Sequence, residues 1–283
     1  MPVNVCRTRI LAERIRLESM RCMASEGCGH VGGVLSAAEL AAVLYEDVLT
    51  CFPSDPGRMD RDRVVLSKGH CGPVLYAALA LKGFFPLGEL TTLNRNGTRL
   101  PSHCNCLDTP GIDISTGSLG QGASLAAGIA LGMRLKGLSR YTYLILGDGE
   151  CDEGQVWEAA LFAAHFKLGN LVAFIDRNRQ QLDGYTCDVM DVGDLEEKFR
   201  AFGWHARTVD GHDVRAIYDA VGAAKGEARP SAIVLETVKG KGWSVSEGRP
   251  NVHHLKISEE QFALAEREIS ARIGEIEAND DGV

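Results

Sequence analysis

No stretch of this 283-residue chain is apolar for long enough to cross a bilayer. The longest such run, GASLAAGIALGM, falls well short of the ~20 residues a helical span needs. The opening residues, MPVNVCRTRILAERIRLESM, pass into an apolar-periodic helix without the hydrophobic region of a signal peptide. The expectation is a cytoplasmic protein with no membrane partner. Positive charge is also short, with 30 Lys and Arg against 38 Asp and Glu and a net charge of −8. That balance argues against a nucleic-acid partner, so a phosphorylated ligand must be gripped by local groups. The nine cysteines are odd in number and scattered, which suits reduced thiols rather than a disulfide scaffold. HCNC at 103–106 lacks a second Cys/His pair at ligand spacing, which argues against zinc. Repeats, low-complexity segments and an interdomain linker are absent too. Residues 1–283 are therefore expected to form a single domain with a short C-terminal tail from about 258 to 283.

What is present is alternation. Ile10, Leu11, Ile15, Leu17 and Met20 mark one face of a helix over about 8–26, which stops in GCGHVGG. Ser36 and Glu39 have capping-box spacing and predict that SAAEL opens a second helix. RVVLS reads as a strand ending at KGHCGP, followed by a helix through VLYAALALKG and a polar stretch over 97–118. Then come the helix LGQGASLAAGIALGMRLKG and, in turn, YTYLIL, VWEAALFAAHFKL, LVAFID, LEEKFRAFG, WHARTVD, RAIYDAVGAAK and AIVLETV. Short apolar strands separated by helices predict an α/β fold, a parallel sheet with helices on both faces. The helices LGQGASLAAGIALGM and EGQVWEAALFAAHF are apolar on more than one face, as expected of helices packed on their own sheet and on a neighbour.

In such sheets ligands lie beyond the carboxyl ends of the strands. Four polar stretches fall there: LSKGHCG, GDGECDEG, DRNRQQLDG and VKGKGWS. LGDGECDEG places Asp148, Glu150, Asp152 and Glu153 among glycines directly after an apolar strand. Asp148 opens a Gly-Asp-Gly turn, and Asn178 ends the next strand in AFIDRN, so both side chains can reach one rim. Magnesium takes oxygen ligands, normally one or two protein groups plus substrate phosphates. A GDG closed by a later Asn is the sequence pattern of thiamine-diphosphate enzymes.

Together with GHVGGVLSAAEL, DRDRVVLSKGHCGPVLYAALALKGFFP, STGSLGQG, FRAFGWHARTVDGHD and TVKGKGWS, that motif makes the chain resemble the N-terminal, thiamine-diphosphate-binding part of transketolase, from GHVGG to NVHH. The resemblance implies that Asp148, Asn178 and the backbone carbonyl of Gln180 bind Mg²⁺ or Ca²⁺. It implies that Gly149, His70 and His253 contact the cofactor's diphosphate and thiazolium side, and that Gly117, Ser118 and Leu119 lie near its pyrimidine. Glu150 belongs to the same cofactor-binding motif, although as an acid after the turn it is expected, like Asp152, to be solvated. Glu153 and Glu158 match glutamates of a subunit contact and proton relay between paired active sites, Glu158 having the plainer reading of a helix-surface carboxylate. His30, His70 and His103 fall in rim loops where neutral imidazoles could move protons on a ketose near pH 7. His165, His205 and His212 lack such a context and are read as structural or surface groups.

The chain departs from the family in one region. Asn94 stands where an arginine is usual, Cys28 where a serine is common, and SHCNC where members read GHPD or GHPE. Val252 replaces a common tryptophan. Cofactor binding is expected to be intact, while sugar specificity does not carry over. The family's pyrimidine-binding and C-terminal domains are expected on a partner chain, with two copies of each chain in the assembly. The implied activity is transfer of a two-carbon ketol unit from a ketose phosphate, a small-molecule substrate, to an aldose. Other readings are transfer to a lipoyl or carrier-protein thiol, a 2-oxoacid dehydrogenase E1 alpha subunit, and a silent scaffold that binds the cofactor. STGSLGQG and KGKGWS favour transketolase.

Overall fold

The computed structural model describes residues 3–280. Helix α1 (Val5–Glu26) begins where the Asn4 side chain accepts from Arg7 N at 3.0 Å. It stops at Gly27, whose φ of 80° a residue without a Cβ adopts at little cost. A short strand β1 (Cys28–Gly29) leads to α2 (Val31–Leu35) and α3 (Ala38–Val43), then to β2 (Arg63–Leu66) and α4 (Gly72–Leu81). After an irregular stretch come α5 (Gln121–Leu135), β3 (Thr142–Gly147), α6 (Gly154–His165), β4 (Leu171–Arg177) and the single turn α7 (Thr186–Val189). The chain continues through α8 (Leu195–Ala201), β5 (His205–Asp210), α9 (Val214–Lys225), β6 (Ser231–Glu236), β7 (Leu255–Lys256) and α10 (Glu259–Asp280).

Five strands form one parallel sheet in the order β2-β3-β4-β6-β5, and β1 pairs with β7 separately and antiparallel. This is the expected α/β architecture. Because successive residues of a strand face opposite ways, each strand feeds two cores. Val64, Leu66, Tyr143, Ile145, Phe174 and Ile233 pack on the side of α1, α3, α4 and α9. Val65, Leu144, Leu146, Ala173, Ile175 and Val234 pack on the side of α5, α6 and α8. Burial on both faces explains why the strands read as unbroken apolar runs.

Two expectations fail. Ser36 is not an N-cap: its Oγ donates to Gly33 O at 3.2 Å and to Asp176 Oδ2 at 2.6 Å, while Glu39 turns to Arg16 at 2.7 Å. Helix α3 starts at Ala38, and its N-cap, Ala37, offers no side-chain cap. Nor is the segment from 258 a loose tail as far as it is described. Glu259–Asp280 is the helix α10, whose buried Ala265 and Ile269, one turn apart, join the core that also holds α1. Ion pairs Arg272–Glu13 (3.1 Å) and Arg21–Glu266 (3.1 Å) tie it to α1. Residues 281–283 lie outside the described residues.

Candidate active site

The ends of β2, β3, β4 and β6 meet at one rim around a cavity of about 230 Å³, lined by Lys68, His70, Asp148, Asn178, Lys239 and His253 among others. The four stretches singled out in the sequence all contribute to it. Asp148 is 2% exposed. Among the described residues its oxygens accept only from main-chain groups, Gly149 N at 2.9 Å and Arg179 N at 2.7 Å. Burial first, and the neighbouring Asp176 charge second, push its pKa up to about 7. Such a carboxyl gains from a cation. Asn178 Oδ1 accepts from Gln180 N at 3.2 Å, and the Gln180 carbonyl accepts from Lys239 Nζ at 2.9 Å. The available donors are all oxygens, a set that fits Mg²⁺ or Ca²⁺. Among the described residues no three acidic, histidine or cysteine side chains converge to hold a metal alone. A cation at Asp148 therefore needs the amide, the carbonyl and oxygens of its ligand.

Behind Asn178 is Asp176, 1% exposed. It accepts from Lys68 Nζ, from Ser36 Oγ at 2.6 Å, from Thr237 Oγ1 and from Asn178 Nδ2 at 3.2 Å. Asn178 thus has its nitrogen anchored while its oxygen bonds Gln180 N. Lys68 also donates to Gly33 O at 3.0 Å. Removing one partner of so deeply buried a pair costs about 3–5 kcal/mol.

Histidines close the other side. The His30 ring lies 5.2 Å from His70, 5.8 Å from His103, 5.4 Å from His253 and 4.8 Å from His254 between centroids. His70 and His253 are 5.0 Å apart. Burial is the main reason that the pKa of His30 is lowered to about 4, that of His253 to about 4 and that of His70 to about 2. These rings are neutral at pH 7. His30 is therefore expected to give flat imidazole resonances through pH 6 in an NMR titration and to move only near pH 4. A midpoint near 6.5 would show a solvated ring.

His103 is exposed and packs on Gly117. A Cβ at Gly117, where φ is 146°, would meet His103 Cδ2 at 2.8 Å, so glycine is required both for the backbone and for the close approach. Leu119 lines the cavity, while Ser118 is exposed next to it. Glu150 is not solvated. It is 2% exposed and accepts from Ser67 Oγ, Gly120 N (2.9 Å) and Gly147 N (3.1 Å), fastening the start of α5 to the turn after β3. Asp152 is exposed. Glu153 and Glu158 are exposed on α6 and its N-cap, outside the cavity lining. His165 is a surface group, and His205, at the start of β5, and His212, just past its end, are half-buried outside the cavity lining.

Lys68, Asp176, Lys239 and His254 were not singled out from sequence. Lys68, Asp176 and Lys239 did carry a signal, a charge at a strand end inside an apolar or glycine-rich run. Asn94 and Ser102, two of the family departures, pair with each other, since Asn94 Oδ1 accepts from Ser102 N and Oγ, both at 2.8 Å. Asn105 is spent within its own loop, bonding Asp108, Leu107 N and Ser115 Oγ.

A parallel α/β sheet whose strand ends gather a buried acid, an oxygen-donor amide, lysines and neutral imidazoles defines a cofactor-binding domain for an anionic ligand. The chain belongs to the family described as transketolase, thiamine diphosphate binding domain, whose model matches residues 7–272. It is 51% identical over 259 residues to the 6-deoxy-6-sulfo-D-fructose transketolase subunit of Clostridium sp. (strain MSTE9), covering 91% of this chain and 94% of that one. It is 36% identical over 272 residues to an apulose-4-phosphate transketolase subunit of Phocaeicola vulgatus, covering 96% of each. Among solved structures, transketolase from Campylobacter jejuni superposes with a TM-score of 0.88 at 28% identity, over 95% of this chain and 43% of that one. The chain thus spans less than half the length of that structure. No helix among the described residues is long and apolar enough to cross a membrane.

Proposed function

We propose that this chain is the cofactor-binding subunit of a two-chain transketolase that moves a two-carbon ketol unit from a ketose phosphate to an aldose acceptor. The observation that carries the reading is the cavity where Asp148, Asn178 and the Gln180 carbonyl face Lys239, His70 and His253. Asp148, Asn178 Oδ1 and the Gln180 carbonyl would hold Mg²⁺ or Ca²⁺, offsetting the charge of thiamine diphosphate. When bound, that cofactor supplies the carbanion and the electron sink. His70 and His253 line the cavity at its charged end, and Leu119 offers apolar contact. His30, neutral because it is buried, can accept or donate a proton at a ketose oxygen, and His103 stands at the open side. The partner chain would carry the pyrimidine-binding and C-terminal domains, with two copies of each chain and Glu153 and Glu158 at their junction. The names of the relatives, which specify subunits, support the partner. The odd number and scatter of the nine cysteines, which suit reduced thiols, support a cytoplasmic location.

A second donor is favoured by the 51% identity to the sulfofructose transketolase subunit: a ketose ending in a sulfonate rather than a phosphate. The assembled complex, loaded with Mg²⁺ and thiamine diphosphate, should transfer a ketol unit from one of these two donors. Transfer from neither would end the proposal. His103→Ala should lower turnover by ~10²–10⁴, the effect of losing a proton-transfer group, with little change in melting temperature. Unchanged turnover with collapsed stability would make the residue structural.

A further inference from the structure

Residues 237–242 follow β6 and carry Lys239 into the cofactor cavity. Its Nζ donates to the carbonyls of Gln180 (2.9 Å) and Gln181 (3.2 Å) and lies 3.3 Å from His253 Nδ1. Behind this loop, on the turn after β5, is His212, whose Nε2 accepts the Val238 N–H at 2.8 Å. A ring nitrogen that accepts carries no proton, so the hydrogen of the neutral ring is on Nδ1. Nδ1 is 3.2 Å from Glu39 Oε2, an ion-pair distance, and among the described residues neither atom meets hydrogen-bond geometry with any partner, so each is left facing the other. The other Glu39 oxygen is held by Arg16 at 2.7 Å, deep in the core. Burial works to raise the Glu39 pKa, but Arg16 and His212 together bring it down to about 2, so it remains a carboxylate.

We propose that His212 is a positioning residue for the cofactor site: with its tautomer set by Glu39, it fixes the backbone at Val238 and so the reach of Lys239 to the Gln180 carbonyl. This rests on the cofactor-binding reading above and assigns a task to a histidine that the sequence marks only as structural or surface. A ring that merely fills space would tolerate a change in the direction of its hydrogen bonds. A positioning ring would not.

The test uses His212→Phe, His212→Gln and Glu39→Gln in the complex with the partner chain. The readouts are calorimetric affinity for thiamine diphosphate with Mg²⁺, exchange of the Val238 amide proton, turnover at saturating cofactor and melting temperature. His212→Phe leaves the Val238 N–H without its acceptor and should weaken cofactor binding by about tenfold or more. It should also speed Val238 exchange, while turnover at saturating cofactor stays near the wild-type value. His212→Gln puts an amide oxygen near the place of Nε2 and should recover most of the affinity.

Glu39→Gln is the sharper variant because it removes no ring. Arg16 keeps the oxygen of the new amide turned toward itself, so the amide NH₂ faces His212 Nδ1. The ring proton is driven to Nε2, where it opposes the Val238 N–H. A loss like that of His212→Phe is expected. Unchanged affinity in Glu39→Gln, or His212→Gln no better than His212→Phe, or a lower melting temperature with affinity intact, would each overturn the assignment. If His212→Phe does not fold, the other two variants decide. Wild-type complex that binds no cofactor would sink the cofactor reading itself, a distinct failure.

Discussion

Asp148→Ala is expected to abolish Mg²⁺-dependent binding of thiamine diphosphate while leaving the fold intact. The carboxylate is buried, it meets only two main-chain donors, and burial with the nearby Asp176 charge makes its ionised form costly unless a cation arrives. Without it, Asn178 Oδ1 and the Gln180 carbonyl remain, both neutral, and neither can offset the charge that a metal brings to a diphosphate. Little loss of stability is expected in the cofactor-free protein, because relief of a buried acid whose pKa is raised to about 7 offsets the two main-chain donors, Gly149 N and Arg179 N, that lose their acceptor. Calorimetry with Mg²⁺ and the cofactor on the reconstituted complex, with a thermal melt of the chain, checks both halves. Affinity equal to the wild type would take Asp148 out of the site.

The isolated chain should show no ketol transfer, and the partner subunit should restore it. On the proposed reading, this chain supplies one wall of the site and the partner the other. Leu182, at the cavity, is 64% exposed, and Met190, just past α7, is 60% exposed. Along α5 and α6, Leu125, Leu161, Phe162 and Phe166 also face outward, as expected of helices apolar on more than one face. Burying an aminopyrimidine ring needs an apolar surface opposite. Adding the partner should yield activity and a mass, by light scattering, of two copies of each chain. Full activity from the 283-residue chain alone would end the split-enzyme reading.

The fold was legible wherever one physical signal was strong. Strands buried on both faces stand out as unbroken apolar runs, and Asp148 and Asn178 declare themselves by sitting at the ends of two such runs. Local chemistry misled where distant groups compete for the same side chain. Ser36 and Glu39 have the spacing of a capping box, yet Asp176 and Arg16, both far away in sequence, claim them. Glu150 reads as solvated because its acceptors' partners, Ser67 and Gly120, come from other loops. Helix α10 was missed because its charged residues hide a stripe of Ala265, Ile269 and Ile273 that α1 covers. His212 gave no signal at all, since its importance depends on what lies at each of its nitrogens.

The two-sided sheet also constrains how such a chain can change over generations. An extra residue inside β2 would exchange its faces, sending Val64 and Leu66 into the core now held by Val65, and would swing Lys68 and His70 away from the rim. The stretch between Val48 and Arg63 is pinned at its end, where buried Arg61 pairs with Asp113 and Asp62 accepts from Thr50 N and Tyr141 N; the residues before that bear no such restriction. Insertions and deletions should therefore accumulate in the connections at the amino-terminal end of the sheet, while strand lengths stay frozen. Irregular loops such as 94–105 can drift, but the phase of the strands is inherited intact.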